Sequence, residues 1–277
     1  MESPYRAASA FSMPAKAGFM QGKEPVTQMS VFVMADTHLS LAVNKPMDKF
    51  GARWAKHTEK IKENWLKTVS PDDTVVIPGD LSWGINLEEA LPDFRLIDDL
   101  PGKKILLKGN HDYWWDTVKK MTGFNEANGI TTFSYLHNNA VRCEDFILCG
   151  SRGWYTEDKR VITANEVDTA KLIAREVGRL KTSLDCGKSI REQVLAEEGR
   201  TLEMLVFLHF PPYFKGYICD EIILELYRCG IERCFFGHIH GMYDVPMTRR
   251  YMDIDFTLIA GDYLGFVPYR IETERRP

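Results

Sequence analysis

Six short apolar runs constrain this chain more than any other feature. They are "SVFVMAD" (30–36), "TVVIPGD" (74–80), "KILLKGN" (104–110), "FILCGS" (146–151), "MLVFLH" (204–209) and "RCFFGH" (233–238). Each is continuous rather than alternating, which is the pattern of strands covered on both faces. Segments with helical spacing lie between several of them. Residues 48–69 carry Trp54, Ile61, Trp65 and Val69 on one stripe. Asn86 with Glu89 opens a second helix that contains Leu87, Leu91, Phe94 and Ile97, and Pro92 is expected to kink or split it. Residues 164–184 and 219–229 read as further helices, the latter closed by Gly230. The polar stretch 185–200 reads as a surface loop or short helix. Strand–helix alternation predicts an α/β fold. The tail "YMDIDFTLIAGDYLGFVPYRI" (251–271) has no intervening helix, which predicts a second, partly antiparallel sheet.

Five of the six runs end in side chains that can hold a cation. The first delivers Asp36 and His38, the second Asp80, the third Asn110 and His111, the fifth His209, and the sixth His238 and His240. Five of the seven histidines occupy these positions. Ligands of α/β sheets gather beyond the carboxyl ends of strands, so residues distant in sequence converge there. Asp36, His38, Asp80, Asn110, His209, His238 and His240 together offer more oxygen and nitrogen donors than the four to six that one cation takes. Sharing one carboxylate, they suit a pair of divalent ions about 3.5–4 Å apart, an arrangement that readies water for attack on phosphorus. No thiolate is among them, which disfavours a structural zinc site; the mixed donors suit Mn2+, Fe or catalytic Zn2+.

The same five blocks, Asp36-x-His38, Gly79-Asp80, Gly109-Asn110-His111-Asp112, His209 and Gly237-His238-x-His240, resemble in order the motifs of calcineurin-like metallophosphoesterases. Within them the chain looks most like the small bacterial-type predicted phosphohydrolases. The resemblance covers residues 31 to about 262. It implies a four-layer α/β/β/α sandwich of two mixed sheets flanked by helices. It also implies a hydrolase of phosphomonoesters or phosphodiesters in which hydroxide held by two divalent ions attacks phosphorus. Manganese is the first expectation for those ions, with Fe, Zn2+ or Ni2+ as alternatives. By the same resemblance Asp36, His38 and His240 hold one ion, Asn110, His209 and His238 the other, and Asp80 bridges. His111 then touches the phosphoryl group or leaving oxygen as a catalytic residue, with Asp112 behind it fixing the imidazole. Gly109 is expected to let the strand end turn tightly. After Asp80 the chain runs Leu81-Ser82-Trp83, without the acidic or amide residue found three places on in other branches, so substrate identity does not transfer.

Blander readings stand beside these. Asp80 could cap the next helix, His209 could be a core histidine, and His238 and His240 could point to opposite faces of a strand. Asp112 could cap a helix over "YWWDTVKKM". His57 and His137 read as non-functional. Trp83, Tyr113, Trp114, Trp115, Trp154, Tyr155, Tyr213 and Phe214 follow motif blocks or strand ends and either wall a cleft or pack loops. Arg152 is read as a phosphate contact or as a surface residue.

Charge and composition narrow the partners. A net charge of −4 argues against a broad nucleic-acid footprint, leaving a small phosphoester, nucleotide-like or otherwise, as the expected substrate. No run approaches the length of a membrane span. The six cysteines contain no CxxC pair and read as buried thiols of a reducing cytoplasm. Residues 1–28 lack a secretory pattern and are expected to form a weakly ordered tail, with Met29 as an alternative start, ahead of a single domain over 29–277. Two other functions remain open: a catalytically inactive metal-binding scaffold for a protein partner, and a nuclease.

Overall fold

The computed structural model describes residues 29–154 and 166–273; the tail expected over 1–28 lies outside the described residues. The strands, in chain order, begin with β1 (Val31–Val33), β2 (Thr74–Pro78), β3 (Lys103–Leu107) and β4 (Phe133–Tyr135). Next come β5 (Ala140–Cys143), β6 (Phe146–Ser151), β7 (Glu203–Leu208), β8 (Tyr213–Phe214) and β9 (Tyr217–Ile218). The last are β10 (Arg233–Phe236), β11 (Thr248–Tyr251), β12 (Ile254–Leu258) and β13 (Tyr269–Ile271). The helices are α1 (His57–Thr68), α2 (Leu87–Asp98), α3 (Val118–Asn128), α4 (Glu166–Glu198) and α5 (Asp220–Arg228).

Two mixed sheets face each other. The first has the order β13-β1-β2-β3-β4, parallel except for β13, and the second the order β11-β12-β10-β7-β6-β5, parallel except for its two edges. The continuous apolar runs follow from this layering. In β1 and just beyond it, Phe32 and Met34 pack with Trp54, Ile61, Trp65 and Phe94 on the helix side. Val31 and Val33 pack on the other face with Val76, Leu205, Phe207 and Phe235, between the sheets. The second sheet's outer face meets α4 and α5 through Ile147, Val206, Leu180, Leu184, Ile222 and Leu226. The result is the α/β/β/α sandwich, in which every core strand residue gains by burial, at about 1.5–3 kcal/mol for a large apolar side chain.

Several expectations are corrected. Residues 47–54 form two short 3-10 turns rather than the start of a helix, and α1 begins only at His57, because Lys56 takes a left-handed backbone (φ 53°). Asn86 caps α2 by accepting from the Glu89 amide at 2.9 Å, and the helix continues past Pro92 to Asp98. The stretch 185–200 is no loop: α4 runs to Glu198, carried by Leu184, Ile190 and Val194 against the second sheet. At Gly187 the helix lies close on β6, since a Cβ there would stand 2.5 Å from the Cys149 sulfur. The C-terminal β-rich tail does not build a sheet of its own. Strands β11 and β12 extend the second sheet, and β13 crosses back to the edge of the first. All six cysteines are free, and four are buried. Among the described residues no helix is long and apolar enough to cross a membrane.

Candidate metal centre

The parallel register sets strand ends side by side. Pro78 pairs with Leu107 and Phe236 with Leu208, so Gly79-Asp80, Asn110, His209 and His238 all follow strands that stop at the same level. The two sheets are stitched together at this edge. The Ala35 amide donates to the Ile259 carbonyl at 2.9 Å, and the Gly261 amide donates back to Ala35 at 2.9 Å. That seam carries Asp36, from the first sheet, against His238, from the second; the His238 amide donates to Asp36 Oδ2 at 2.8 Å.

The backbone here is unusual. Asp36, His38, Asp80 and His238 have φ of 59°, 45°, 54° and 70°. Such left-handed turns are uncommon for residues other than glycine, and they persist only where surroundings hold them. Amides of Asp36 and His38 donate to the carbonyls of Gly79 (3.0 Å) and Asp80 (2.9 Å), tying the first two loops together. The turn at His238 lets the side chains of both His238 and His240 reach the centre, so neighbouring strand periodicity does not separate them. Gly109 has no positive φ; its need is space, because a Cβ would collide with the Asp80 carboxylate. Gly237 is held for the same reason against Asp36 and Ala35.

All seven candidate donors converge. His38 Nε2 lies 3.3 Å from His240 Nε2, 3.6 Å from Asp80 Oδ2 and 3.9 Å from Asp36 Oδ1, and His240 Nε2 lies 3.8 Å from Asp36 Oδ1. On the other side His209 Nε2 is 2.5 Å from Asn110 Oδ1 and 3.5 Å from Asp80 Oδ2, and His238 Nδ1 is 3.0 Å from Asn110 Oδ1. Donors about 2.1 Å from a shared cation stand about 3.0 Å apart in octahedral and 3.4 Å in tetrahedral geometry. Two triads meet the spacing of a cation site: Asp36, His38 and His240, and Asp36, Asp80 and His209.

The buried polar atoms of the centre face one another. Asp36 Oδ1 and Asp80 Oδ2 are buried and accept no hydrogen bond from any described residue. His209 Nδ1 faces the Pro78 carbonyl at 3.1 Å and His240 Nδ1 faces Asp262 Oδ1 at 2.8 Å. Those acceptors fix the proton on Nδ1, so both Nε2 lone pairs point into the centre. Lone pairs and carboxylate oxygens facing one another are unfavourable without a cation, and the donor set therefore fits divalent ions. The electrostatics of the centre point the same way. Burial, reinforced by the charge of Asp262 and Asp112, pushes Asp36 up to about 7 despite His240 and the His238 amide. Burial and the neighbouring Asp112 and Asp36 charges push Asp80 well above the carboxylate range. Burial and surrounding imidazoles drive His38 and His209 well below theirs. Burial also opposes charging His240, yet the Asp262 hydrogen bond and the charges of Asp36 and Asp262 carry it upward.

Asp112 is held by four close donors. Oδ2 accepts from the amides of Gly109 (2.7 Å) and Asp80 (2.8 Å), and Oδ1 from Leu81 (2.9 Å) and the Trp114 indole (3.1 Å). These bonds clamp the Asp80 and Asn110 loops together, and none of the four comes from the His111 imidazole. Asp112 caps no helix either; Thr117 caps α3. The His111 amide donates to Asp80 Oδ1 at 2.8 Å, and its half-buried ring lies 4.3 Å from Trp83 and 5.6 Å from His38, with Nδ1 3.4 Å from the Tyr113 hydroxyl.

The aromatics divide. Trp83 stacks on His38 at 5.1 Å and borders the centre, while Trp114 and Trp115 sink into the helix-side core. Tyr213 stacks on Tyr251, Phe214 packs on Phe236, Trp154 lies near Phe210, and Tyr155 is outside the described residues. Two further residues lie at the edge of the centre: Asp262, not singled out in the sequence, and His57, read there as non-functional. Asp262, wholly buried, holds His240 and also accepts from the Gly241 amide and Tyr243 hydroxyl at 3.0 Å; its signal was another apolar run ending in Gly-Asp. His57 is buried beneath the site, 3.3 Å from the His38 carbonyl and against Trp54.

The sequence model of the calcineurin-like phosphoesterases matches residues 29–242. The chain belongs to that family. No curated protein matches its sequence. As a calcineurin-like phosphoesterase it is similar in fold to the phosphopantetheinyl hydrolase of Mycobacterium tuberculosis, with 13% identity and a TM-score of 0.50 over 90% of this chain and 99% of that one. It is also similar to the protein of unknown function AQ665 from Aquifex aeolicus (16% identity, TM-score 0.44, 87% and 95% covered). A third likeness is to the protein TT1561 of Thermus thermophilus (10%, 0.46, 86% and 91%). Identities this low speak to fold alone.

Proposed function

We propose that this calcineurin-like phosphoesterase hydrolyses a small phosphomonoester or phosphodiester with two divalent cations, residues 29–277 acting as one domain. Asp36, His38 and His240 would hold one cation, Asn110, His209 and His238 the other, and Asp80 both. Bound there, the cations would supply Lewis acidity, making hydroxide available near neutral pH and offsetting phosphate charge. The observation that carries the reading is the pair of buried oxygens, Asp36 Oδ1 and Asp80 Oδ2, which have no hydrogen-bond partner among the described residues and face the Nε2 lone pairs of His240 and His209 respectively.

The chain's own groups do the remaining work. Asp262 keeps the His240 proton on Nδ1 and its lone pair inward. His209 is held the same way by the Pro78 carbonyl. Asp112 fixes the spacing of the Asp80 and Asn110 loops. His111, less buried than His38 and His209, is positioned by Trp83 to contact the phosphoryl group or protonate the leaving oxygen. The partly exposed ring of Trp83 supports stacking of an aromatic or nucleotide-like leaving group. The mixed imidazole and carboxylate set favours Mn2+, with Fe, Zn2+ and Ni2+ also fitting. Six free cysteines favour a reducing, cytoplasmic setting, and a net charge of −4 speaks against a nuclease. The test is hydrolysis of p-nitrophenyl phosphate and bis-p-nitrophenyl phosphate with Mn2+ added. Turnover that disappears with chelator and returns with Mn2+ is expected. Inactivity on both compounds and on a nucleotide panel, with metal demonstrably bound, overturns the reading in favour of a scaffold.

A further inference from the structure

We propose that the open cavity beside the metal centre is a subsite for a second phosphate of the substrate, so that the preferred substrates are phosphoesters bearing another phosphate group. The proposal rests on the phosphoesterase reading above. The cavity measures about 390 Å3, and Lys108, Arg152, Arg175 and Arg179 line it. That volume is ample for a small polar ligand. None of the seven candidate cation donors lines it, so it is a separate compartment.

The fold places this compartment next to the centre. Lys108 follows β3 and precedes Gly109-Asn110. Arg152 follows β6, whose last residue, Ser151, pairs with Leu208, and the amides of His209 (3.2 Å) and Phe210 (2.9 Å) both donate to the Arg152 carbonyl. Neighbouring strands lie about 4.8 Å apart, so Arg152 leaves the sheet roughly one strand away from His209. The Arg152 guanidinium lies 5.7 Å from the Phe210 ring, which in turn packs 4.6 Å from the His238 ring. From the other side α4 brings Arg175 and Arg179 on successive turns.

Among the described residues the charges in the cavity do not balance. Glu176, wholly buried, is shared by three guanidiniums through one oxygen: Oε1 lies 2.8 Å from Arg179 and 3.6 Å from both Arg152 and Arg175. Asp116 also lines the cavity, but its carboxylate is 2.6 Å from Lys120. One carboxylate against Lys108 and three arginines leaves a surplus of about three positive charges at close quarters, in a chain whose net charge is −4. A cluster serving stability alone gains nothing from such mutual repulsion. The Arg152 Nε–H is, in addition, buried without an acceptor among the described residues. Convergent guanidiniums match the oxygens of phosphate, to which they bond in forked pairs. A substrate spanning both compartments would present its scissile phosphate to the metal centre and its second phosphate to Lys108 and the arginines.

The test compares propyl phosphate with propane-1,3-diol bisphosphate, and with the ethane and butane homologues, on the Mn2+-loaded protein. p-Nitrophenyl phosphate serves as the reference substrate. The variant is Lys108→Gln with Arg175→Gln, both outside the proposed cation ligands; Arg175→Gln alone, at a half-exposed side chain, is a milder second variant. Wild type should favour one bisphosphate over propyl phosphate by about tenfold or more in kcat/KM, and the double variant should lose that preference while keeping p-nitrophenyl phosphate turnover. Calorimetric titration of chelator-treated protein with inorganic phosphate gives a readout free of turnover, where the double variant should bind about tenfold more weakly. Equal use of mono- and bisphosphates together with unchanged phosphate affinity in the variants overturns the proposal. Failure of wild type on every substrate, p-nitrophenyl phosphate included, refutes the phosphoesterase reading instead, and the phosphate titration still decides the subsite.

Discussion

Replacing Asp112 by asparagine separates two accounts of one carboxylate. If Asp112 served to orient His111, the variant would keep its stability and lose turnover. The structure makes the opposite claim. Each carboxylate oxygen accepts two close buried donors: the Gly109 and Asp80 amides on one, the Leu81 amide and Trp114 indole on the other. Whichever oxygen becomes NH2, two donors lose their acceptor and face another donor. At about 1–3 kcal/mol per stranded donor the loss is roughly 2–6 kcal/mol. Asp112 is wholly buried and burial raises its pKa, so removing the charge returns part of that, and the net cost is expected at about 2–4 kcal/mol. Against a total stability of about 5–15 kcal/mol this is a large fraction. Urea unfolding of chelator-treated protein at pH 8, with the m-value held constant, measures it free of metal linkage. His111→Ala is the control, expected to lower turnover by about 100-fold or more with little change in the urea midpoint. An Asp112→Asn protein within about 0.5 kcal/mol of wild type but catalytically crippled would refute the clamp.

Further outcomes follow from the same geometry. Gly109→Ala should weaken metal binding and stability together, since its Cβ collides with the Asp80 carboxylate; a Tm and manganese affinity equal to wild type would contradict this. Asp262→Asn removes the charged acceptor behind His240, and manganese affinity should fall about 10–100-fold by calorimetry, an unchanged value counting against the orienting role. In chelator-treated protein, burial lifts Asp36 to about 7, so the fold favours its protonated form, and the associated stability is lost as pH rises through that value. Below about 6.5 the buried, depressed His38 and His209 act in the other direction. The metal-free Tm should therefore fall between about pH 6.5 and 8, and manganese should abolish the slope; a metal-free Tm that rises over this interval would contradict the burial argument.

What the sequence made legible and what it hid have different physical origins. The apolar runs reveal strands because burial on both faces demands uninterrupted apolar residues, as Phe32 and Val33 show by entering different cores. The candidate donors are visible because parallel strands stop at one level, a consequence of register. The extent of α4 was hidden by polar residues on its outer face, although Leu184 and Val194 continue its buried stripe. The role of Asp112 was hidden because backbone amides leave no mark in sequence. The left-handed turns at Asp36, His38, Asp80 and His238 were hidden too, since no glycine announces them. The cationic cavity joins residues from the ends of β3 and β6 and from α4 that only the folded chain brings together.

Titration of chelator-treated protein with Mn2+, followed by elemental counting after desalting, is the most direct test of a shared two-cation cage. The wild-type chain should retain about two ions, and Asp80→Ala, lacking the oxygen that faces both halves, should retain fewer at much lower affinity. Retention of no ion by the wild type, or unchanged retention in Asp80→Ala, would contradict the account.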